Sequence, residues 1–199
     1  MEIRSMDLLK KKVEDSKNII RESIEKYPIE KSAIAWTGGK DSTLILWLFR
    51  EIAREDGVSL PRCFCIDEGD MFDEIREFLQ RYTKEWGVDL EVVHNADVSK
   101  AAGGELGATV RVADLNERNR REIDRLGYEE DEFPYEPESF VGTHLMKTVM
   151  LNDFLERYKI EAFYEGIRWD EQESRANETY FSPREATEYS PAHMRVFPI

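Results

Sequence analysis

Cysteine is scarce in this sequence, and so are bases. Its 199 residues hold two cysteines, Cys63 and Cys65 in PRCFCID. The one-residue gap suits neither a zinc knuckle nor a CxxC redox pair, and two thiolates cannot complete a four-cysteine iron–sulfur site. Residues two apart on a strand face the same side, so both thiols are expected as small buried groups of a core strand. Lysine and arginine number 28 against 42 aspartates and glutamates, a net charge of −14 at pH 7. A broad nucleic-acid footprint needs a basic face, which this balance argues against. A small anion can still be held by a few cations placed locally. No apolar run approaches a membrane span. The opening MEIRSMDLLKKKVEDSKNII is charged and helix-periodic, unlike a secretory signal, and the cytoplasm is the expected compartment. Internal repeats are lacking too, and the length suits a single domain, 1–199, with one sizeable core.

What is present alternates. Leu9, Val13, Ile20 and Ile24 form one stripe of a helix over about 5–27, within an N-terminal helical segment 1–30. KSAIAW reads as a short buried strand, followed by a helix from the capping Ser42 to about Arg54. PRCFCID is a second strand. Phe72, Ile75, Leu79, Tyr82 and Trp86 then recur at steps of three and four up to Gly87, a natural helix stop. DLEVVHN is a third strand, EAFYEG a fourth and MRVFPI a fifth. This order predicts an α/β fold: a doubly wound, mostly parallel sheet with helices on both faces. AAGGELGATV reads as a flexible loop and LNERNRREIDRLG as a helix. The acidic run at 127–140, with two prolines, reads as an exposed loop or lid outside the core. A helix from Thr143 to Tyr158 would turn Leu145, Val149, Met150 and Phe154 inward.

In such a sheet, ligands collect at the carboxyl ends of the strands. TGGKDS, IDEGDMF and GIRWDEQESRA all fall at such ends. In the first, Gly38 and Gly39 let the backbone bend and approach a ligand closely. The first helical amides beyond them are unpaired, with the positive end of the helix dipole behind. Thr37 and Ser42 add hydroxyls and Lys40 a cation. Asp41 either caps the helix or helps hold magnesium, and the spacing leaves both open. The loop is an anion cradle suited to phosphate, with a plain structural turn as the alternative. It is not a Walker loop, which would need Gly at 34 and Ser or Thr at 41, where Ile34 and Asp41 stand. Arg168 and Arg175, in the third loop, have the planar donors that match phosphate oxygens. Pairing with Asp170, Glu171 and Glu173 is their alternative use. His144 and His193 are isolated and are assigned no role.

TGGKDS resembles the SGGxDS pyrophosphate loop of the ATP-pyrophosphatase superfamily, with Thr37 in place of the first serine. YEGIRWDEQESRANETYFSPRE, followed by HMRVFPI, is similar to the phosphoadenosine phosphosulfate reductase family, within it to sulfate adenylyltransferase small subunits. IDEGDMFDEIREF and HLMKTVMLNDFL resemble that family's stretches in the same order, over residues 32 to 199. The resemblance implies an adenine nucleotide alpha-hydrolase-like fold. Thr37, Gly38, Gly39, Lys40, Asp41 and Ser42 would hold the pyrophosphate portion of ATP. Asp67, Glu68 and Gly69 would lie near the adenosine, Gly166 and Arg168 would close over the nucleotide, and Arg175 would contact the phosphates. Lys147 matches the family's KT position.

The implied chemistry is attack by an acceptor oxygen on the α-phosphorus of ATP with release of pyrophosphate. Lys40, Arg168, Arg175 and the loop amides would be the stabilisers, and magnesium would share the charge. Sulfate is the first acceptor implied, with FMN or another oxyanion behind it. The resemblance also implies a GTPase-type large subunit or a homo-oligomer as partner. The tail cysteine and the cluster cysteines of the family's reductases are absent, and position 144 is histidine, so sulfur reduction and an iron–sulfur cluster are not expected. No metal site built from protein ligands is expected either. The family's C-terminal tail, which would follow RVFPI, is missing from this sequence.

Overall fold

The alternation of apolar runs and amphipathic stretches resolves into one sheet with helices against both of its faces. The computed structural model describes residues 2–168, 179–187 and 190–199, with side chains from residue 6. In chain order come α1 (Glu2–Lys26), β1 (Ser32–Ala35), α2 (Lys40–Asp56), β2 (Arg62–Ile66), α3 (Asp73–Trp86) and β3 (Leu90–Val93). Next come α4 (Ala96–Ala101), β4 (Thr109–Arg111), α5 (Glu117–Arg125), β5 (Glu132–Pro134) and α6 (Phe140–Gly142). The chain then runs through a π-helical segment (Thr143–Thr148) into α7 (Val149–Tyr158), β6 (Ala162–Tyr164), β7 (Phe181–Arg184) and β8 (His193–Val196).

Six strands are ordered β3-β2-β1-β6-β8-β7. All neighbours pair in parallel except β7 with β8, which are antiparallel. The central strands are buried on both faces, which is why SAIA and AFY read as apolar runs without alternation. On one face Ile34, Trp36, Cys63 and Cys65 pack with Ile20 of α1, Ile45 and Phe49 of α2 and Leu79 of α3. On the other, Ala33, Phe64 and Phe163 meet Phe154 and Leu155 of α7. Both cysteines are free and buried in the core. Among the described residues, no helix is long and apolar enough to cross a membrane.

Several expectations need correction. Leu9 is 61% exposed, because the N-terminal part of α1 is exposed and the stripe reaches the core only from Val13 onward. Phe72 is the residue before α3 rather than part of its buried stripe, and it is 74% exposed. Helix α2 starts at Lys40 with Gly39 as its cap. Ser42 Oγ turns back to donate to the Gly39 carbonyl at 3.1 Å instead of capping.

The middle of the chain departs most. Residues 127–140, expected as a loop outside the core, contain β5, which pairs antiparallel with β4. Phe133 and Tyr135 point inward and are buried, while Glu132, Pro134 and Glu136 between and beside them point out. AAGGELGATV, expected as a loop, supplies the end of α4 and the start of β4. These elements share a second apolar cluster, with Val98, Val110, Ile123, Phe133, Val141 and Leu145 among its members. The expected helix over Thr143–Tyr158 is present, with Leu145, Val149 and Phe154 buried, but its first turns are π-helical. Asn95 Nδ2 donates to the Leu145 carbonyl there at 3.1 Å and to Asn119 Oδ1 at 3.0 Å. That buried amide pair ties the end of β3 to the small cluster.

Candidate functional site

The strand order reverses direction between β1 and β6: the chain leaves β1 towards β2 and later returns on its other side. The crevice above such a reversal is where open α/β sheets bind ligands. The loops after β1 and β6 flank it. The first is fixed from below by Trp36, fully buried, whose Nε1 donates to Thr43 Oγ1 at 3.1 Å. Gly38 has φ 79°, a conformation that L side chains rarely adopt. Thr37 N donates to Ser42 Oγ at 3.3 Å, and the two hydroxyl oxygens are also 3.3 Å apart. These bonds curl residues 37–42 around the first turn of a 17-residue helix. The first-turn amides of that helix have no earlier carbonyl to bond, so they face the crevice with the dipole behind them. Lys40, mostly exposed, lies 3.1 Å from Asp41.

The loop after β6 closes on this turn. A Cβ built on Gly166 would lie 2.8 Å from Ser42 N and 2.9 Å from the Asp41 carbonyl carbon. Only glycine lets the two backbones approach so closely. Arg168 follows two residues later on the same loop. Arg175 lies outside the described residues, so the structure does not place it with the others.

The loop after β2 is held by its own acid. Asp67 Oδ1 accepts from Gly69 N at 3.0 Å, and Oδ2 accepts from Arg76 at 2.9 Å. Gly69 has φ 92°, and a Cβ there would meet Tyr135 Oη at 2.5 Å. Thus β5, from the small cluster, presses on this loop. Glu68 lies 3.0 Å from Lys147 Nζ, and Glu138 is 3.7 Å from the same nitrogen. Burial pushes the Glu68 carboxyl above its ordinary value, and Lys147 offsets only part of that rise. Burial lowers the Lys147 ammonium, but the Glu68 hydrogen bond and charge outweigh it, so the net shift is upward.

Residues 37–42 and Gly166 therefore converge directly, and Asp67, Glu68 and Gly69 form a neighbouring loop on the same rim. Sequence reasoning assigned no role to Tyr135, Arg76 or Glu138. For Tyr135 the signal was in EFPYE, where apolar residues alternate with acids at the strand period. His144 Nε2 sits 3.0 Å from Glu122, within the small cluster, and His193 bonds the Pro191 carbonyl through Nδ1 at the start of β8. The thiols are not placed for chemistry: Cys65 is pushed up to about 11 by burial, then by the charges of Asp67 and Glu68, and burial raises Cys63 as well.

The fold and the rim together define an α/β protein of the doubly wound class, with a glycine-containing turn and the N-terminus of α2 at its topological reversal. Residues 31–199 match the phosphoadenosine phosphosulfate reductase domain. The chain belongs to the phosphoadenosine phosphosulfate reductase family. It is 29% identical over 167 residues to sulfate adenylyltransferase subunit 2 of Proteus mirabilis, covering 84% of this chain and 45% of that protein. Over 171 residues it is 30% identical to the protein of the same name from Parabacteroides distasonis, covering 86% and 46%. The chain thus spans about half the length of these curated relatives. In fold it is similar to Candida glabrata FMN adenylyltransferase in complex with FMN and the ATP analogue AMPCPP. The TM-score is 0.60 at 14% identity, covering 94% of this chain and 51% of that one. It is also similar to the phosphoadenylyl-sulfate reductase of Candida auris in its phosphate complex, with a TM-score of 0.58 at 11% identity, covering 92% and 71%.

Proposed function

We propose that the chain binds ATP at the reversal crevice and transfers its adenylyl group to an oxyanion acceptor. The observation that carries this reading is the approach of Gly166 to the first turn of α2. It sets the loop after β6 in contact with the first turn of α2, beside that turn's unpaired amides, two hydroxyls and Lys40. A turn so braced suits a pyrophosphate, whose charge needs donors rather than a covalent nucleophile. An acceptor oxygen bonds to the α-phosphorus, the bond from that phosphorus to the bridging oxygen breaks, and pyrophosphate leaves with the electron pair. The amides of residues 40–42 and Lys40 stabilise the charge on the leaving group, Arg168 does so from the loop after β6, and Arg175 is assigned the same role. Asp67 to Gly69 line the adenosine side.

Magnesium usually binds through one or two carboxylates and substrate phosphates. Among the described residues no group of three or more potential ligands forms a metal site by itself. Asp41, in the first turn of α2, is the carboxylate that would share such an ion with the phosphates. When bound, the ion would neutralise phosphate charge. The acceptor is sulfate in the first instance, by the relatives' names, with FMN second. The same names support a multi-subunit assembly, for which a GTPase-type large subunit or a second copy of this chain is the proposed partner. A reductase reading finds no support in Cys63 and Cys65, since both lie in the core.

The test follows α-labelled ATP with magnesium and the purified chain, with sulfate, with FMN and with no acceptor. An adenylylated product with matching pyrophosphate is the expected result. Nucleotide that binds but stays intact under all three conditions would instead make the chain a binding subunit.

A further inference from the structure

Away from the crevice, the outer edge of the sheet at β3 carries a second feature. In the β2–β3 ladder, Cys63 N donates to the Asp89 carbonyl at 2.7 Å and Asp67 N to the Val93 carbonyl at 2.8 Å, with Cys63 opposite Leu90 and Cys65 opposite Val92. Parallel pairing of this register uses the backbone of residues 89, 91 and 93. The N–H and C=O groups of Leu90 and Val92 are therefore turned outward, and among the described residues no further strand lies beyond β3. The opposite edge is blunted by Pro183 in β7. β3 has no proline, and Val92 is 44% exposed.

Beside that edge, against α3, runs a groove of about 370 Å³. Met71, Leu79, Leu90 and Val92 give it an apolar wall, and Arg76 and Lys84 also line it. Thr83, which lines it too, has a buried hydroxyl with no hydrogen-bond partner. No ion pair to Lys84 is present among the described residues, and Arg76 spends one nitrogen on Asp67. Two cations with donors to spare stand out on a chain of net charge −14. They are eight residues apart on α3, a rise of about 12 Å. Four steps of an extended strand cover about 13 Å, and residues i, i+2 and i+4 share one face.

We infer that the β3 edge is a docking site for an extended peptide segment of a partner protein, with a carboxylate at positions one and five and an apolar residue at position three. The peptide joins the sheet through the outward backbone groups of Leu90 and Val92. Its central side chain enters the groove against Leu79 and Val92, and its two carboxylates pair with Arg76 and Lys84. This surface adjoins the loop after β2 through Arg76, which also holds Asp67, but it does not depend on the adenylyltransferase reading.

The probe is the peptide acetyl-DTVTE-amide, titrated into the isotope-labelled full chain, with acetyl-KTVTK-amide as control. Saturable amide shifts at Leu90 and Val92 are expected, with the lysine peptide at least tenfold weaker. Lys84→Glu should weaken the acidic peptide about tenfold while resonances on the far side of the sheet stay in place. Equal response to both peptides, non-saturating or scattered shifts, or a Lys84→Glu chain that binds the acidic peptide as before would overturn the proposal. Shifts at the same edge that grow with protein concentration alone would also overturn it, by assigning the edge to a second copy of this chain.

Discussion

The sheet and the small cluster beside it bury apolar surface with different materials. Strands β1, β2 and β6 are mostly apolar, with Ser32 and Arg62 at the starts of the first two, and the helices on them run 10 to 25 residues. The small cluster is made from strands of 3 residues and helices of 6 and 9, set within acidic sequence. In β5 and just beyond it every second residue faces the core, while Glu132, Pro134 and Glu136 face water. Burial needs one good face, and that face can be as short as Phe133 and Tyr135. The two regions touch where function is proposed, through Tyr135 against Gly69 and Lys147 against Glu68.

The strongest way to separate them is Gly142→Ala. The added Cβ would lie 1.9 Å from the Glu136 carbonyl oxygen, which no rotamer can relieve. Overpacking of this kind costs about 3 kcal/mol. Hydrogen exchange should show amides of 96–148 losing protection while those of β1 and β2 keep theirs. Equal loss across both regions would mean that they unfold as one unit.

Gly166→Ala attacks the other side of the comparison. Its Cβ would press on the backbone of Asp41 and Ser42 and push the loop after β6 away from that turn. Loss of the charge-assisted bonds made there, at about 1.5–3 kcal/mol for each bond to a charged group, predicts roughly 100-fold weaker ATP binding by calorimetry. The unfolding midpoint should move little.

Gly69→Ala tests the contact between the regions. The built Cβ meets Tyr135 Oη first, at 2.5 Å, and the ring carbon behind it at 3.2 Å. A loss of about tenfold in nucleotide affinity is expected, from strain of about 1.4 kcal/mol. Adding Tyr135→Phe removes the hydroxyl and should restore part of it. No recovery would show that the positive φ of Gly69, rather than Tyr135, sets the loop.

Near neutral pH the smallest effect comes from the thiols of the sheet, which act only as the solution turns alkaline. Their folded values lie above the ordinary thiol value of about 8.5, with Cys65 near 11. A raised group lends stability that is complete below the unfolded value and lost as pH rises through the folded one. Urea midpoints should therefore fall between about pH 8.5 and 11, and Cys65→Ala should flatten that slope. At pH 8 neither thiol of the folded chain should react with iodoacetamide.

This contrast also explains what could be read from the residues alone. SAIA, RCFCI and AFY were legible because a strand buried on both faces is apolar over its centre, with polar Ser32 and Arg62 only at the first positions. TGGKDS was legible as a strand-to-helix turn because two glycines separate an apolar run from a helical pattern. β5 was hidden because proline and glutamate outnumber its inward residues. β7 was hidden because FSPR contains a proline and an arginine and shows no clear alternation. The π-helical turn leaves no trace in a pattern of threes and fours, and its displaced carbonyl at Leu145 is met by Asn95, fifty residues away. The role of Tyr135 depends on Gly69 lying beneath it, a pairing that neither stretch announces.

Trp36 gives the cradle an optical readout. Its indole is shielded from water, hydrogen-bonded to Thr43 in the turn that would grip phosphate, and stacked on Trp86 at 6.4 Å. Anything that tightens residues 37–42 changes the field around that ring. Its fluorescence should shift on titration with ATP, and Trp86→Phe should simplify the signal without touching the loop. A binding curve that needs no label is thus written into the floor of the crevice.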